Sequence, residues 1–367
     1  MKKTLLLLSL IISGYFISAQ ETIFEFTINS KTKLQKISSI ISIDNVEGNT
    51  VTAYANLQEF EKFKALGIKY KVLPHPGSGK ALTMATTVAQ MADWDRYPTH
   101  DVLMEMIDQF AVDYPEICRV ETIGMSEEGR PVKVVKITDN PDTNENEPEF
   151  FYTGQMHGDE IVAYIMFLRL ADYLLENYDK NQRVTDLINN VEIWINPLSN
   201  PDGTYNGGNN TVASATRSNS NGVDLNRSFP TPNLTNPAGQ NEAEVQMMIA
   251  FAENNNLVLS ANSHSGIELV NFPWDTWESS HPHADHDWWY QVSRNYADIV
   301  HENAPANYMD AYDNGVTHGG DWYVVNGSRQ DHMGYYQHCR EVTLELSDAK
   351  MLDCGLLPAH WDYNKDA

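Results

Sequence analysis

Residues 147–175 read EPEFFYTGQMHGDEIVAYIMFLRLADYLL. The run Glu147–Tyr152 is typical of a strand, and the apolar residues from Ile161 onward recur at intervals of three and four, which predicts a helix with one buried face. In open α/β sheets, functional sites lie at the carboxyl ends of the strands. We therefore expect the tetrad HGDE at His157–Glu160, which joins the two elements, to belong to such a site.

A third candidate residue, His264, follows another strand-like run, Leu257–Ala261. His157 and Glu160, three residues apart, together with this remote imidazole form the ligand set of an open catalytic zinc site. Two neutral imidazoles and a carboxylate suit Zn²⁺, and three protein ligands leave a fourth position for water, which metal binding makes a usable nucleophile near neutral pH. The motif H-x-x-E is common by chance. The prediction of one zinc ion per chain therefore depends on both ligand positions falling at strand ends.

Length and composition indicate one sizeable enzyme domain and a smaller companion. A chain of 367 residues is longer than one average domain, and its apolar content of 42% is enough to form a hydrophobic core. The formal net charge of −25 argues against nucleic acid and anionic membrane surfaces as partners. Cys118, Cys339 and Cys354 are too few for a disulfide framework, and at most one bridge can form among them.

The N-terminus predicts export and a separate small module. Residues 1–19 carry two lysines, a short apolar stretch and Ile-Ser-Ala before Gln20, which is typical of a cleaved secretory signal and predicts a secreted or periplasmic protein. A membrane anchor is the weaker interpretation, because the apolar stretch is shorter than about 20 residues. In residues 20–75, strand-like runs alternate with helical runs, which predicts a small α/β module. Residues 76–90 are rich in Pro and Gly and predict a linker, and residues 91–367 are the predicted catalytic domain. The predicted module elements are strands Ile23–Thr27, Val51–Ala55 and Tyr70–Leu73 and helices Leu34–Ile41 and Leu57–Leu66.

Five segments resemble, in order and spacing, the zinc metallocarboxypeptidases of the carboxypeptidase A/B and E/N superfamily. They are Gly154–Glu160, Asn196–Gly203, Val223–Arg227, the stretch that begins at His264, and Thr343–Leu346. The resemblance covers roughly residues 94–361, and the 107-residue interval between the two histidines is similar to that of the E/N branch. It implies an α/β fold with a mixed, mostly parallel twisted sheet flanked by helices on both faces.

The resemblance implies that His157, Glu160 and His264 bind zinc and that Glu345 is the general base. The residues around Glu345 support this role, because apolar Leu344 and Leu346 alternate with it along a strand-like run, and a carboxylate in a covered sheet is costly without a partner or a function. A structural salt bridge is the alternative. As a base, Glu345 would take a proton from the attacking water and pass it to the leaving amine.

A polar loop of residues 200–237 contains further residues that match the family pattern. Arg217 matches the arginine that holds the oxyanion formed from the scissile carbonyl, a fixed positive donor of the kind that often dominates catalysis. Asn226 and Arg227 match the pair that grips the terminal carboxylate of the substrate, for which a guanidinium fork is suited.

The resemblance extends to specificity. Asp275 matches the E/N-branch aspartate that faces the terminal side chain, and Gln330 is a candidate for the same pocket. A buried carboxylate there pairs with Lys or Arg and rejects apolar ends. The alternative is that Asp275 only opens a turn. The mobile tyrosine of the family falls on Gly334 by counting back from Glu345, so Tyr335 is the nearest candidate, with Tyr336 weaker.

The sequence thus predicts a secreted zinc metallocarboxypeptidase that releases Lys or Arg from the C-terminus of peptides or proteins. Two alternatives remain: a related zinc amidohydrolase that acts on cell-wall peptides, and a binding protein that keeps the zinc pocket without turnover. The N-terminal module is either a removable pro-segment that covers the cleft or a permanent accessory. We favour a pro-segment-like module from its position and size.

Overall fold

The computed structural model describes residues 21–80, 82–234 and 237–367. The predicted signal segment, residues 1–19, lies outside the described residues. Among those described, no helix combines the length and the apolar composition needed to cross a membrane. Cys118, Cys339 and Cys354 are all buried free thiols.

The N-terminal module is a four-stranded antiparallel sheet with two helices. Its elements are β1 (Thr22–Thr27), α1 (Lys31–Ile37), β2 (Ser42–Glu47), β3 (Thr50–Ala55), α2 (Leu57–Lys64) and β4 (Tyr70–Val72), in the sheet order β2-β3-β1-β4. Phe24, Phe26 and Phe63 form the centre of its own apolar core. The sequence predicts every element of this module except β2.

The described residues 82–234 and 237–367 contain ten further strands and ten further α-helices. The strands are β5 (Met84–Ala85), β6 (Tyr97–Pro98), β7 (Cys118–Met125), β8 (Pro131–Ile137), β9 (Glu149–Thr153), β10 (Glu192–Asn196), β11 (Leu257–His264), β12 (Ile267–Phe272), β13 (Val316–His318) and β14 (Arg340–Ser347). The helices are α3 (His100–Asp113), α4 (Val162–Asn177), α5 (Gln182–Ile188), α6 (Pro201–Thr204), α7 (Ala243–Asn254), α8 (His286–Asn303), α9 (Ala311–Asn314), α10 (Gly319–Trp322), α11 (Arg329–Tyr336) and α12 (Leu357–Asn364).

Eight of these strands form one mixed sheet in the order β13-β12-β14-β11-β9-β10-β8-β7. Four of its seven neighbouring pairs are parallel: β12 with β13, β11 with β14, β11 with β9, and β10 with β9. The other three pairs are antiparallel. The predicted mixed, mostly parallel α/β fold is confirmed.

Both faces of this sheet are covered by apolar residues. Along β10, Ile193 and Ile195 belong to a core cluster that includes α4, whereas Trp194 between them belongs to a second cluster that includes α7. Because neighbouring side chains of a strand point to opposite faces, the two clusters lie on opposite sides of the sheet.

Candidate metal centre and catalytic cleft

The candidate metal ligands come from the ends of two neighbouring strands. His157 and Glu160 lie in the loop between β9 and α4, as predicted, and the helix begins at Val162. His264 is the last residue of β11 and pairs in register with Glu345 on β14. The four side chains are buried around one cavity.

A close approach of two backbones fixes the loop that carries His157 and Glu160. A Cβ atom on Gly158 would lie 2.4 Å from the carbonyl carbon of Gly203 and 2.5 Å from the amide nitrogen of Thr204, so only glycine fits. Gln155, in the left-handed region at φ 63°, braces the turn by donating from Nε2 to the carbonyl of Gly158 at 2.8 Å. The tetrad is therefore held against α6 by contacts that no other residue type at position 158 permits.

The three ligand side chains converge in a way that fits a divalent cation. His157 Nδ1 lies 3.0 Å from Glu160 Oε1, His264 Nδ1 lies 2.8 Å from Glu160 Oε2, and the two Nδ1 atoms are 2.9 Å apart. His157 Nε2 lies 3.0 Å from Asp224 Oδ1, which in a neutral ring takes the hydrogen on Nε2 and leaves a lone pair on Nδ1. Lone pairs from nitrogen and oxygen then face each other, and a cation such as Zn²⁺ satisfies them.

The charges around the cleft favour the ligand state of these groups. Burial opposes ionisation of Glu160, yet the neighbouring His157 ring and the ammonium of Lys350 hold the pKa of that carboxyl well below its ordinary value. Burial and the neighbouring His157 lower the pKa of His264 to about 4, so this ring is neutral at neutral pH, as metal binding requires. Burial, followed by the charge of Glu160, raises the pKa of Glu345 well above its ordinary value.

Arg217 is held rigidly beside the metal ligands. Its Nη1 donates to Glu160 Oε1 at 3.1 Å and to Asp44 Oδ1 at 2.9 Å, and its Nε donates to Asp224 Oδ2 at 3.0 Å and to Ser42 Oγ at 3.1 Å. Two of these four acceptors, Asp44 and Ser42, belong to β2 of the N-terminal module. The side chain is fully buried, so both domains of the chain fix its orientation.

Arg227 and Asn226 also line the cavity, with different freedom to move. Arg227 Nη2 donates to the carbonyl of Ile43, again on β2, at 2.7 Å. The amide of Asn226 is engaged on both sides, because its Oδ1 accepts from the backbone of Arg329 at 2.9 Å and its Nδ2 lies 3.2 Å from His264 Nε2. Arg227 is therefore the better placed of the two to grip a substrate.

Asp275 lies buried at another part of the same cavity. Asn271 Nδ2 donates to its Oδ1 at 3.0 Å, and the backbone N–H groups of Asp275 and Thr276 donate to the carboxylate of Asp331 at 2.9 and 2.8 Å. Burial and the charge of Asp275 raise the pKa of Asp331 to about 8. Gln330 does not line the cavity. It is buried behind it and accepts from Thr343 Oγ1 at 3.0 Å.

The structure does not bring Tyr335 into the site. This side chain is 42% exposed and packs on Trp274 and Tyr336 at the outer end of α11. Tyr323, which follows α10, lines the cavity instead, and its hydroxyl donates to the carbonyl of Asp44 at 3.1 Å and lies 3.4 Å from Arg227 Nη2. The position counted back from Glu345 falls within α11, whereas Tyr323 lies in the segment before this helix. The adjacent aromatic residues Trp322 and Tyr323 were the sequence signal that could have identified it.

The sequence also left Asp224, Lys350 and Asp331 without roles, although all three are buried at or beside the cleft. Lys350 Nζ donates to Glu160 Oε1 at 2.7 Å and pairs with Asp44 at 2.7 Å. Asp224 stands two residues before Asn226, inside a segment that matched the family pattern, so its position was a usable signal. Lys350 and Asp331 give no comparable local signal, because their partners are distant in the chain.

The absence of a side chain at Gly319 leaves space for the carboxylate of Asp275, and replacing this glycine tests that packing. A Cβ atom there would lie 2.0 Å from Asp275 Oδ1 and 2.7 Å from Asn271 Oδ1. We expect Gly319→Ala to displace Asp275 and to destabilise the fold by about 1–3 kcal/mol, as overpacked sites do, measured by denaturant unfolding. Gly355→Ala is the matched control, because a Cβ atom at Gly355 meets nothing within 4 Å. Equal stability of the two variants would contradict the proposed seating.

The comparisons with known proteins identify the family to which this chain belongs. The sequence pattern of the family described as zinc carboxypeptidase matches residues 103–365. Carboxypeptidase D of Mus musculus is 33% identical over 321 residues, which cover 79% of this chain and 23% of that protein. The carboxypeptidase N catalytic chain of Rattus norvegicus is 32% identical over 309 residues, which cover 74% of this chain and 67% of that protein. This chain therefore spans about a quarter of the length of carboxypeptidase D.

Solved structures show the same fold over nearly the whole chain. The carboxypeptidase A from Helicoverpa armigera superposes with a TM-score of 0.71 at 17% identity and covers 95% of this chain and 96% of that one. Thrombin activatable fibrinolysis inhibitor gives a TM-score of 0.66 at 18% identity, with 94% and 98% covered. The part of this chain that these structures do not cover is shorter than the N-terminal module. The structural similarity therefore includes at least part of that module.

Proposed function

Because this chain belongs to the zinc carboxypeptidase family, with relatives of the D and N type, we propose that it hydrolyses the last peptide bond of peptides or proteins that end in lysine or arginine. One observation supports this most strongly. His157, Glu160 and His264 surround the same cavity as the candidate base Glu345 and the candidate specificity residue Asp275. A hydrolase that removes Lys or Arg from a C-terminus requires a metal, a base and a buried anion in one cleft.

We propose Zn²⁺ as the cofactor, held by His157, Glu160 and His264. The set of two nitrogens and one oxygen is the one that zinc hydrolases use, and the ligand atoms lie within 4.8 Å of one another. When bound, zinc polarises the scissile carbonyl and lowers the pKa of water. Asp224 orients His157 from behind through the contact with Nε2, as outer carboxylates do for metal-bound imidazoles.

In the proposed reaction, Glu345 moves the proton. Its carboxylate takes a proton from the attacking water and delivers it to the nitrogen of the leaving residue as the C–N bond breaks. Burial and the charge of Glu160 raise the pKa of Glu345, and a raised pKa makes its carboxylate a stronger base. Arg217 is fixed at 3.1 Å from Glu160 and stabilises the negative charge that forms on the carbonyl oxygen.

Arg227 and Tyr323 are the proposed contacts for the end of the substrate. The guanidinium of Arg227 suits a terminal carboxylate because two parallel N–H groups match its two oxygens. The hydroxyl of Tyr323 lies 3.4 Å from that guanidinium and points into the same cavity. Asp275 then receives the side chain of the last residue, and a buried carboxylate favours a cationic one.

The proposed activity is tested by the products from a ladder of N-blocked peptides. Purified protein, cleaved within the linker at residues 76–90, should release a single Arg or Lys from a free C-terminus and release Phe much more slowly. It should leave the same peptides intact when their C-terminus is amidated, as mass spectrometry would show. Release from branched cell-wall fragments without release from basic tails would instead favour an amidohydrolase. Binding of the peptides with one zinc but without any product would favour a binding protein.

We propose further that the N-terminal module covers the catalytic cleft and inhibits it. Strand β2 supplies a carbonyl oxygen to Arg227 from Ile43 and a carboxylate to Arg217 from Asp44, so it uses the groups that a substrate needs. The cavity that remains has a volume of about 40 Å³, enough for one or two water molecules but not for a peptide end. We expect cleavage within the linker at residues 76–90 to raise activity, and unchanged activity after complete cleavage would contradict inhibition.

The contact between the module and the catalytic domain should weaken as pH rises. Glu21 accepts from the backbone N–H groups of Arg217 and Ser218, each at 2.8 Å, and burial raises its pKa to about 7. A carboxyl whose folded pKa exceeds its unfolded value of 4.5 stabilises the fold fully below pH 4.5, and this contribution is lost as pH rises toward 7. We expect the unfolding temperature to fall over this window and to fall less in Glu21→Gln, measured by calorimetry. Glu25→Gln is the control, because the Glu25 side chain is partly exposed on β1 and pairs with Lys71 at 2.9 Å.

We also propose that the protein is exported, on the basis of residues 1–19 alone. N-terminal sequencing of protein recovered from the periplasm or the medium should begin at Gln20. Intact Met1 on the recovered protein would contradict cleavage at that point.

A further inference from the structure

Asp44 occupies a position between two buried cations. Its Oδ1 lies 2.9 Å from Arg217 Nη1 and 2.7 Å from Lys350 Nζ. Both cations are at least nine-tenths buried. The proposed mechanism uses Arg217 but assigns nothing to Lys350.

Lys350 has an anionic partner on the module at this position. Its Nζ, nine-tenths buried, pairs with Asp44 Oδ1 and with Glu160 Oε1, each at 2.7 Å. If the module leaves the cleft, the hydrogen-bond partners that remain among the described residues are Glu160 and the carbonyl of Ser265 at 3.5 Å. Glu160 is also the proposed metal ligand and has less charge to share once a metal is bound. The position that Asp44 held is then open, and a substrate carboxylate that enters it would be stabilised by the ammonium of Lys350.

The direction of a bound substrate places its penultimate residue beside Lys350. The last residue lies between Arg227, which takes its carboxylate, and Asp275, which takes its side chain. The scissile carbonyl then lies at the metal ligands and Arg217. Lys350 contacts Glu160 and Ser265, beyond the metal ligands, whereas Asp275 sits among Asn271 and Gly319.

We propose that Arg217 and Lys350 form a carboxylate subsite that takes an acidic side chain at the penultimate position of the substrate, and that Asp44 fills this subsite while the module is in place. This inference rests on the proposed function, because it uses the orientation of a peptide in that cleft. It identifies a substrate class, peptides that end in an acidic residue followed by Lys or Arg, and it makes Lys350 a specificity residue.

The test uses Asp44→Ala protein cleaved within the linker at residues 76–90, so that neither the Asp44 side chain nor the module fills the cleft, and N-blocked peptides that end in Glu-Arg, Gln-Arg or Lys-Arg. We expect kcat/KM for Glu-Arg to exceed that for Gln-Arg by about tenfold or more, the effect of one hydrogen bond to a charged group, and Lys-Arg to be the poorest. Adding Lys350→Met should remove the difference between Glu and Gln, whereas Lys350→Arg should retain it. Lys80→Met is the matched control, because Lys80 pairs with Asp353 at the surface.

A binding measurement separates this inference from the proposed activity. Calorimetry with Asp44→Ala combined with Glu345→Gln reports peptide affinity without turnover, and tighter binding of Glu-Arg than of Gln-Arg supports the subsite even if no residue is released. Release of Arg with equal affinity and equal rate for the two peptides overturns the subsite and leaves the proposed function standing. Failure of the Asp44→Ala protein to bind either peptide also overturns it. If the Lys350→Met variant does not fold, the comparison of Glu-Arg with Gln-Arg peptides on the Asp44→Ala protein still tests the subsite.

Discussion

Replacing Glu345 with glutamine is expected to lower kcat by about 10²- to 10⁴-fold, the usual contribution of a general acid or base. The amide has nearly the same shape as the carboxylate but cannot accept a proton from water. Because Glu345 lies beside the metal ligands without being one of them, the variant should still bind one zinc and retain its peptide affinity.

Steady-state kinetics together with a metal assay would check this effect. Glu268→Gln is the matched control, since Glu268 is a part-buried carboxyl on the neighbouring strand β12 that does not line the cavity. Activity of the zinc-loaded Glu345→Gln enzyme within about threefold of the parent would assign the proton transfer to another group.

Replacing Asp275 with asparagine should remove the preference for basic chain ends. Loss of one partner from a buried charge pair costs about 2–5 kcal/mol, so kcat/KM for peptides that end in Arg should fall by about 30- to 3000-fold. Peptides that end in Phe should be cleaved at least as fast as before, because the buried carboxylate that rejects them is gone. The ratio of Arg to Phe release therefore isolates the pocket from the catalytic machinery.

The exposed carboxylate Asp353 provides the control for this experiment, as Asp353→Asn. It pairs with Lys80 at 3.5 Å, away from the cleft. A ratio of Arg to Phe release that is the same in Asp275→Asn as in the parent would show that Asp275 only opens a turn, the alternative that the sequence left open.

The parts of the fold with strong local patterns were predictable. The helix α4 follows from its apolar periodicity, and the strands β9, β11 and β14 follow from short runs of β-favouring residues. These elements bring His157, Glu160, His264 and Glu345 together at the strand ends, because parallel strands expose their carboxyl ends at one edge. The short motif H-x-x-E predicted a metal site only because each candidate ligand could be placed at this edge of the sheet.

The parts that depend on contacts between distant segments were not predictable. Strand β2 reads Ser-Ile-Asp-Asn-Val-Glu, a polar run with no clear strand pattern, and its order comes from contacts with Arg217 and Lys350 in the catalytic domain. Tyr323 was missed for a related reason: its place in the cleft depends on how the segment before α11 folds back, not on its distance along the chain from Glu345.

The proposal that one zinc ion held by His157, Glu160 and His264 carries the activity is tested most directly by titrating chelator-treated protein, cleaved within the linker at residues 76–90, with Zn²⁺. Bound zinc and the release of C-terminal Arg would be followed together. Activity should be absent without metal and should rise in proportion to bound zinc up to one ion per chain, whereas His264→Ala, with an intact fold by circular dichroism, should remain inactive. Full activity in the metal-free protein, or unchanged activity in His264→Ala, would contradict the proposal.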